Sequence, residues 1–137
     1  MPVIVVTRLR LKDPGLLDDF FTAAVAALEQ AKQAAGHLGS DVLADANNTY
    51  WTLTAWKDRG PMRAYVAADP HRGTMARLDT WCDEATFTDW EQASADLPGW
   101  PESYRRLVAD GQVAHLTQPS PAHLTRDFPP PVEPAAS

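Results

Sequence analysis

Cysteine is almost missing from this sequence. Cys82 is the only one in 137 residues, which excludes an internal disulfide and any cysteine-rich metal site. Basic residues are scarce as well, twelve against eighteen acidic ones, for a net charge of −6. There is no basic stripe, so neither nucleic acid nor an anionic membrane surface is an expected partner. Long apolar runs are lacking. The stretch Phe20 to Leu28 falls far short of the roughly 20 residues that span a bilayer. Met1-Pro2-Val3-Ile4-Val5-Val6 has neither the basic start nor the cleavage site of a signal peptide, and the chain reads as cytoplasmic. No Gly-x-Gly-x-x-Gly and no Gly-Lys-Ser/Thr segment occurs, so no flavin or dinucleotide fingerprint is present. The four histidines, His37, His71, His115 and His123, lack close metal-ligand spacing, and no metal is expected.

What remains is the composition of one globular domain, 45% hydrophobic and 22% charged. Five tryptophans in so short a chain raise the odds of a ligand pocket or an interface. Val3 to Leu11 alternates as a first strand, with arginines taking over one face toward its end. Asp13-Pro14-Gly15 opens an amphipathic helix whose stripe is Leu17, Phe20, Phe21, Ala24, Val25, Leu28 and Ala31, ending at Gly36. His37 to Asp45 is a second strand, Ala46-Asn47-Asn48 a turn, and Thr49 to Lys57 a third, aromatic-rich strand. A helix from Pro61 to about Trp81 follows, broken at Asp69-Pro70. His71, Met75, Leu78 and Cys82 lie on the one stripe after the break. Glu84 to Trp90 alternates as a fourth strand.

The order β-α-β-β-α-β is the ferredoxin-like pattern, an α+β fold with two helices on one face of an antiparallel sheet. The other face would be bare in a single chain, and a face-to-face homodimer is the simplest cover. Residues 1–117 form the domain, with an added helix from Pro101 carrying Trp100, Tyr104, Leu107 and Val108 on one side. Residues 118–137 hold half of the twelve prolines and little that could build a core, so an extended tail is expected.

The strand Tyr50-Trp51-Thr52-Leu53-Thr54-Ala55-Trp56, the helix Met62-Arg63-Ala64-Tyr65-Val66 and the run Asp69-Pro70-His71-Arg72 with Met75 carry a resemblance. Across roughly residues 2 to 92 the chain resembles the dimeric α/β-barrel superfamily, in its antibiotic-biosynthesis-monooxygenase-like branch. The resemblance implies a homodimer acting on an aromatic or polycyclic small molecule, as a monooxygenase that works without a cofactor. Haem-degrading and haem-dependent relatives make haem the alternative cofactor. Trp56 matches a tryptophan of the oxygenases, and Thr52 stands where those enzymes place an asparagine. Met75 stands where the haem-degrading group places its axial histidine.

Read on its own residues, His71 is either packed beside Met75 or a proton acceptor, kept neutral by the positive end of a helix dipole. It is the candidate catalytic residue, or in the haem reading an iron ligand. Trp56, Tyr50 and Thr52 share a strand face mixing aromatic rings with hydroxyls, which suits either a flat ligand or cross-strand packing. Tyr65, Arg72 and Met75 complete the candidate substrate-binding set. Trp81, Trp90 and Cys82 read as structural. A non-catalytic dimer that holds a metabolite is the remaining reading.

Overall fold

The computed structural model of the chain describes residues 1–132. Strand β1 (Val3–Leu11) leads through a short 3-10 turn (Pro14–Leu16) into α1 (Leu17–Gln33). The Asp13 carboxylate accepts the Gly15 N–H at 2.8 Å, supplying the N-terminal cap that the sequence predicts. After α1 the chain turns at Gly36, whose φ is +83°. A Cβ there would come within 2.5 Å of the Pro61 ring, so only glycine fits on both counts. Strands β2 (His37–Asp45) and β3 (Thr49–Trp56) form a hairpin. Its turn puts Asn47 and Asn48 at φ of 63° and 59°, the left-handed pair that asparagine tolerates.

Three helices then replace the expected broken one: α2 (Arg59–Ala67), α3 (His71–Ala76) and α4 (Leu78–Trp81). The break at Asp69-Pro70 is as the sequence predicts, and a second break falls at Arg77. Cys82 is not on the helix stripe. It opens β4 (Cys82–Glu91), where burial among Leu11, Leu78 and Trp81 holds it. Beyond the ferredoxin-like unit come α5 (Trp100–Asp110), the two-residue β5 (Gln112–Val113) and α6 (Pro121–Thr125). The sheet is antiparallel throughout, in the order β2-β3-β1-β4-β5.

Register assigns the two faces. Val3, Val5, Thr7 and Leu9 lie beside Trp56, Thr54, Thr52 and Tyr50, on the face that α1 to α4 cover. Ile4, Val6 and Arg8 lie beside Ala55, Leu53 and Trp51 on the other. That second face is not bare. Ile4, Val6, Trp51, Leu53 and Ala55 are sealed by Trp100 and Leu107 of α5 and by Phe128. Val108, expected on the inner side of α5, points outward instead.

The tail also departs from expectation. It is seated by a buried aromatic anchor, Phe128, at 2% exposure. Ser120 caps α6 by accepting the His123 N–H, and Ser120 N–H donates to the Asp83 carbonyl at 2.9 Å. The prolines of this segment exclude strand pairing without excluding side-chain docking. The end of the expected tail, 133–137, lies outside the described residues. No helix among the described residues is long and apolar enough to cross a membrane.

Candidate functional site

The site is built at the joint between α2 and α3. Gln30 on α1 reaches across to it: its amide oxygen accepts the His71 backbone N–H at 2.7 Å. Its amide nitrogen donates to the Tyr65 and Ala68 carbonyls at 3.2 and 3.3 Å. One side chain thus ties three backbone groups across the break, the His71 N–H and two carbonyls that also accept the Ala68 and Arg72 N–H groups. Asp69 adds a bond from the Gly73 N–H. The backbone of His71 is fixed by these ties.

The rings then meet in sequence. Tyr65 stacks on Trp56 with centroids 4.9 Å apart and planes at 28°. The His71 ring lies 4.6 Å from that of Tyr65, tilted at 52°. Trp56 is fully buried, and its indole N–H donates to the Thr54 hydroxyl at 2.9 Å. The Tyr65 hydroxyl donates to the Ala27 carbonyl at 3.1 Å. Burial pushes the Tyr65 pKa up to about 12, so Tyr65 stays a neutral donor. His71 Nδ1 faces the Val66 carbonyl at 3.2 Å. A carbonyl can only accept, so Nδ1 carries the hydrogen and Nε2 keeps a free lone pair. Desolvation lowers the pKa of His71, outweighing the Val66 hydrogen bond that raises it. Near neutral pH the ring is an uncharged base.

Beside these rings the helix-covered face has an interruption. Its apolar residues fall into two clusters rather than one. Leu11, Phe20, Leu78, Trp81, Cys82 and Ala85 form the first, with Leu9, Tyr50 and Met75 against it. Val3, Ala31, Trp56 and Met62 form the second, with Val5 and Tyr65 against it. Between them runs the row Thr52, Thr7, Phe87, neighbours across β3, β1 and β4. All three are half-buried, although β1 is the central strand. A residue under helices on a central strand stays half-open only where nothing large packs onto it. The stretch of α1 that joins the two clusters carries Ala23, Ala24 and Ala27, whose short side chains leave room.

The structure therefore brings His71, Tyr65 and Trp56 together, sets Thr52 in the row between the clusters, and packs Tyr50 and Met75 against the first cluster. Arg72 is placed elsewhere. Its side chain is 70% exposed and pairs with Asp69 at 3.4 Å. Sequence reasoning missed Thr7 and Phe87, whose signal was their alternation with the apolar residues of their strands. It also left His37 unassigned. That ring meets Trp56 edge-on at 5.6 Å, and its buried Nε2 has no partner among the described residues. Burial, then the charge of Lys32, lowers the His37 pKa. A separate groove of 390 Å³ runs between α1 and α2, with Tyr65, Gln30, Pro61 and Ala64 in its walls. No group of three or more metal-ligating side chains converges among the described residues.

The sequence profile of the antibiotic biosynthesis monooxygenase family matches residues 2–77. None of the curated proteins matches the chain. Among solved structures, a conserved protein from Methanosarcina mazei Go1 is 17% identical with a TM-score of 0.60, over 67% of this chain and 93% of its own. SnoaB, a cofactor-independent oxygenase from Streptomyces nogalater, is 16% identical with a TM-score of 0.57, over 72% and 98%. Rv0793 from Mycobacterium tuberculosis is 14% identical with a TM-score of 0.61, over 69% and 100%. At such identities the structures speak for the fold alone, while the profile spans more than half the chain. The βαββαβ unit and the profile agree, and this chain belongs to the antibiotic biosynthesis monooxygenase family.

Proposed function

We propose that this protein is a monooxygenase that uses no metal, flavin or haem and acts on a small aromatic molecule with an ionisable ring hydroxyl. The observation that carries this reading is the ladder of rings Trp56, Tyr65 and His71 beside the half-open row Thr52, Thr7 and Phe87. A flat substrate in the interruption lies between aromatic walls, with two threonine hydroxyls for its polar edge. His71 Nε2 takes the phenolic proton, acting as general base. The electron-rich ring carbon then bonds to dioxygen, and the peroxide loses water to leave a quinone carbonyl. One oxygen atom enters the product and the other leaves as water. The apolar clusters on either side keep bulk water from the carbanion. The fold shared with SnoaB, itself a cofactor-independent oxygenase, supports the same reading.

The test is oxygen uptake and quinone absorbance with anthrone as probe. The metal-free protein turns anthrone over, and His71→Ala lowers the rate about 10²–10⁴-fold, the usual share of a general base. Equal rates with and without protein, or an undiminished rate in folded His71→Ala, would refute the proposal.

A further inference from the structure

The joint between α2 and α3 decides more than the place of His71. In an unbroken helix the Val66 carbonyl would accept the N–H of the residue four positions on. That residue is Pro70, which has no N–H to give. The Val66 carbonyl is left to His71 Nδ1, 3.2 Å away. The His71 backbone N–H would in turn seek the Ala67 carbonyl. It goes to the Gln30 amide oxygen instead, at 2.7 Å. The Gln30 amide nitrogen holds the other side of the break, through the Tyr65 and Ala68 carbonyls.

These bonds converge on one ring. Free histidine favours its neutral hydrogen on Nε2, which would leave Nδ1 as the acceptor. Here Val66 offers only an acceptor, so the hydrogen sits on Nδ1 and the lone pair on Nε2. Val66 is 41% exposed, so water competes for its carbonyl, and a loosened joint would lose the bond. Gln30 opposes that loosening from a fixed point. It is half-buried on α1, next to Ala31, which is fully buried in one cluster with Val3 and Trp56. An amide carried by a helix anchored in this way supplies a rigid reference to a joint poor in helical bonds.

We propose that Gln30 is a positioning residue: by bridging the joint it keeps the Val66 carbonyl on Nδ1 and so presents His71 Nε2 as the proton acceptor. The consequence for catalysis rests on the reading of His71 as the base, whereas the effect on the ring does not.

Long-range proton–nitrogen NMR spectra at pH 8 read which ring nitrogen of His71 carries the hydrogen. The wild type should show one tautomer, with hydrogen on Nδ1. Gln30→Ala preserves α1, alanine being the strongest helix former, and should shift the ring toward hydrogen on Nε2. With anthrone, its kcat should fall about 10–100-fold while KM stays within about twofold. Gln30→Glu keeps the acceptor for the His71 N–H and should restore most of both. Gln30→Met keeps the side-chain volume and carries the same expectation as Gln30→Ala should that variant not fold. A wild type with hydrogen on Nε2 overturns the proposal, and so does a wild-type ring spectrum in folded Gln30→Ala or Gln30→Met. A shifted ring with undiminished kcat overturns it too. A shifted ring in a protein that never turns anthrone over upholds the bridge and refutes the proposed function alone.

Discussion

The ring of Tyr65 lies 4.9 Å from that of Trp56 while its hydroxyl is tied to Ala27 on a different helix. Tyr65 is thus the piece that joins sheet, α1 and α2 at the site. Tyr65→Phe keeps the stack and removes one hydrogen bond, so it should cost about 1 kcal/mol in urea unfolding. Trp56→Phe retains part of the stacking area. It should raise the dissociation constant for an anthraquinone probe severalfold in a fluorescence titration, with the fold unchanged by circular dichroism.

His71 gives the proposed reaction its pH dependence. Desolvation sets its folded pKa below 6.5, so the neutral base is present at neutral pH. kcat/KM should be flat above pH 6.5 and fall on the acid side, with its inflection below 6.5. The linked stability has the same sign. A histidine with a depressed folded pKa contributes fully above 6.5, and that contribution fades as pH falls through the lower folded value. A rate still rising between pH 7 and 9 would assign the base elsewhere.

Phe128 and Glu84 make the C-terminal segment part of the fold. Phe128→Ala should cost about 3–5 kcal/mol, the range for a buried phenylalanine, where a loose tail would cost nothing. Burial alone would raise the Glu84 pKa, but the Arg8 hydrogen bond and charge, with help from Arg10, outweigh it and hold the carboxyl below 4.5. That contribution is complete above pH 4.5 and is lost as pH falls through the lower folded value. Acid should therefore loosen the segment, read as faster tryptic cleavage after the exposed Arg126 in samples returned briefly to neutral pH. Glu84→Gln should show the loosening at every pH, because it leaves the Arg8 charge buried without its partner.

Cys82 is fully buried, and burial, then the charge of Asp83, raises its thiol pKa to about 12. A thiol reagent at pH 8 should leave it unmodified until the chain is unfolded. Stoichiometric reaction within minutes under native conditions would contradict this placement.

The ferredoxin-like unit was legible because its signals are local. Period-two alternation marks Val3–Leu11 and Thr49–Trp56, Asp13-Pro14 and Gly36 bracket α1, and Asp69-Pro70 marks the helix break. The closeness of Trp56, Tyr65 and His71 was partly legible, through strand parity and helix spacing. Three features were not. Gln30 reads as one more polar residue on a solvated helix flank, and only the fold shows it spanning the joint. Thr7 and Phe87 became visible once register set them beside Thr52. The cover of the second face escaped because a single phenylalanine in a proline-rich stretch carries no periodicity, so no local pattern reports where it docks.

The separation between Glu91, where the sheet's main strands are complete, and Phe128, which finishes their cover, also matters during synthesis. About 40 residues must still be made after the sheet can form, a delay of a few seconds at ribosomal speeds of roughly 5–20 residues per second. Throughout that interval Ile4, Val6, Trp51 and Leu53 form an open, sticky surface on a nascent chain. That surface stays open until the turn around Phe128 leaves the exit tunnel, and chaperone demand should fall once it docks.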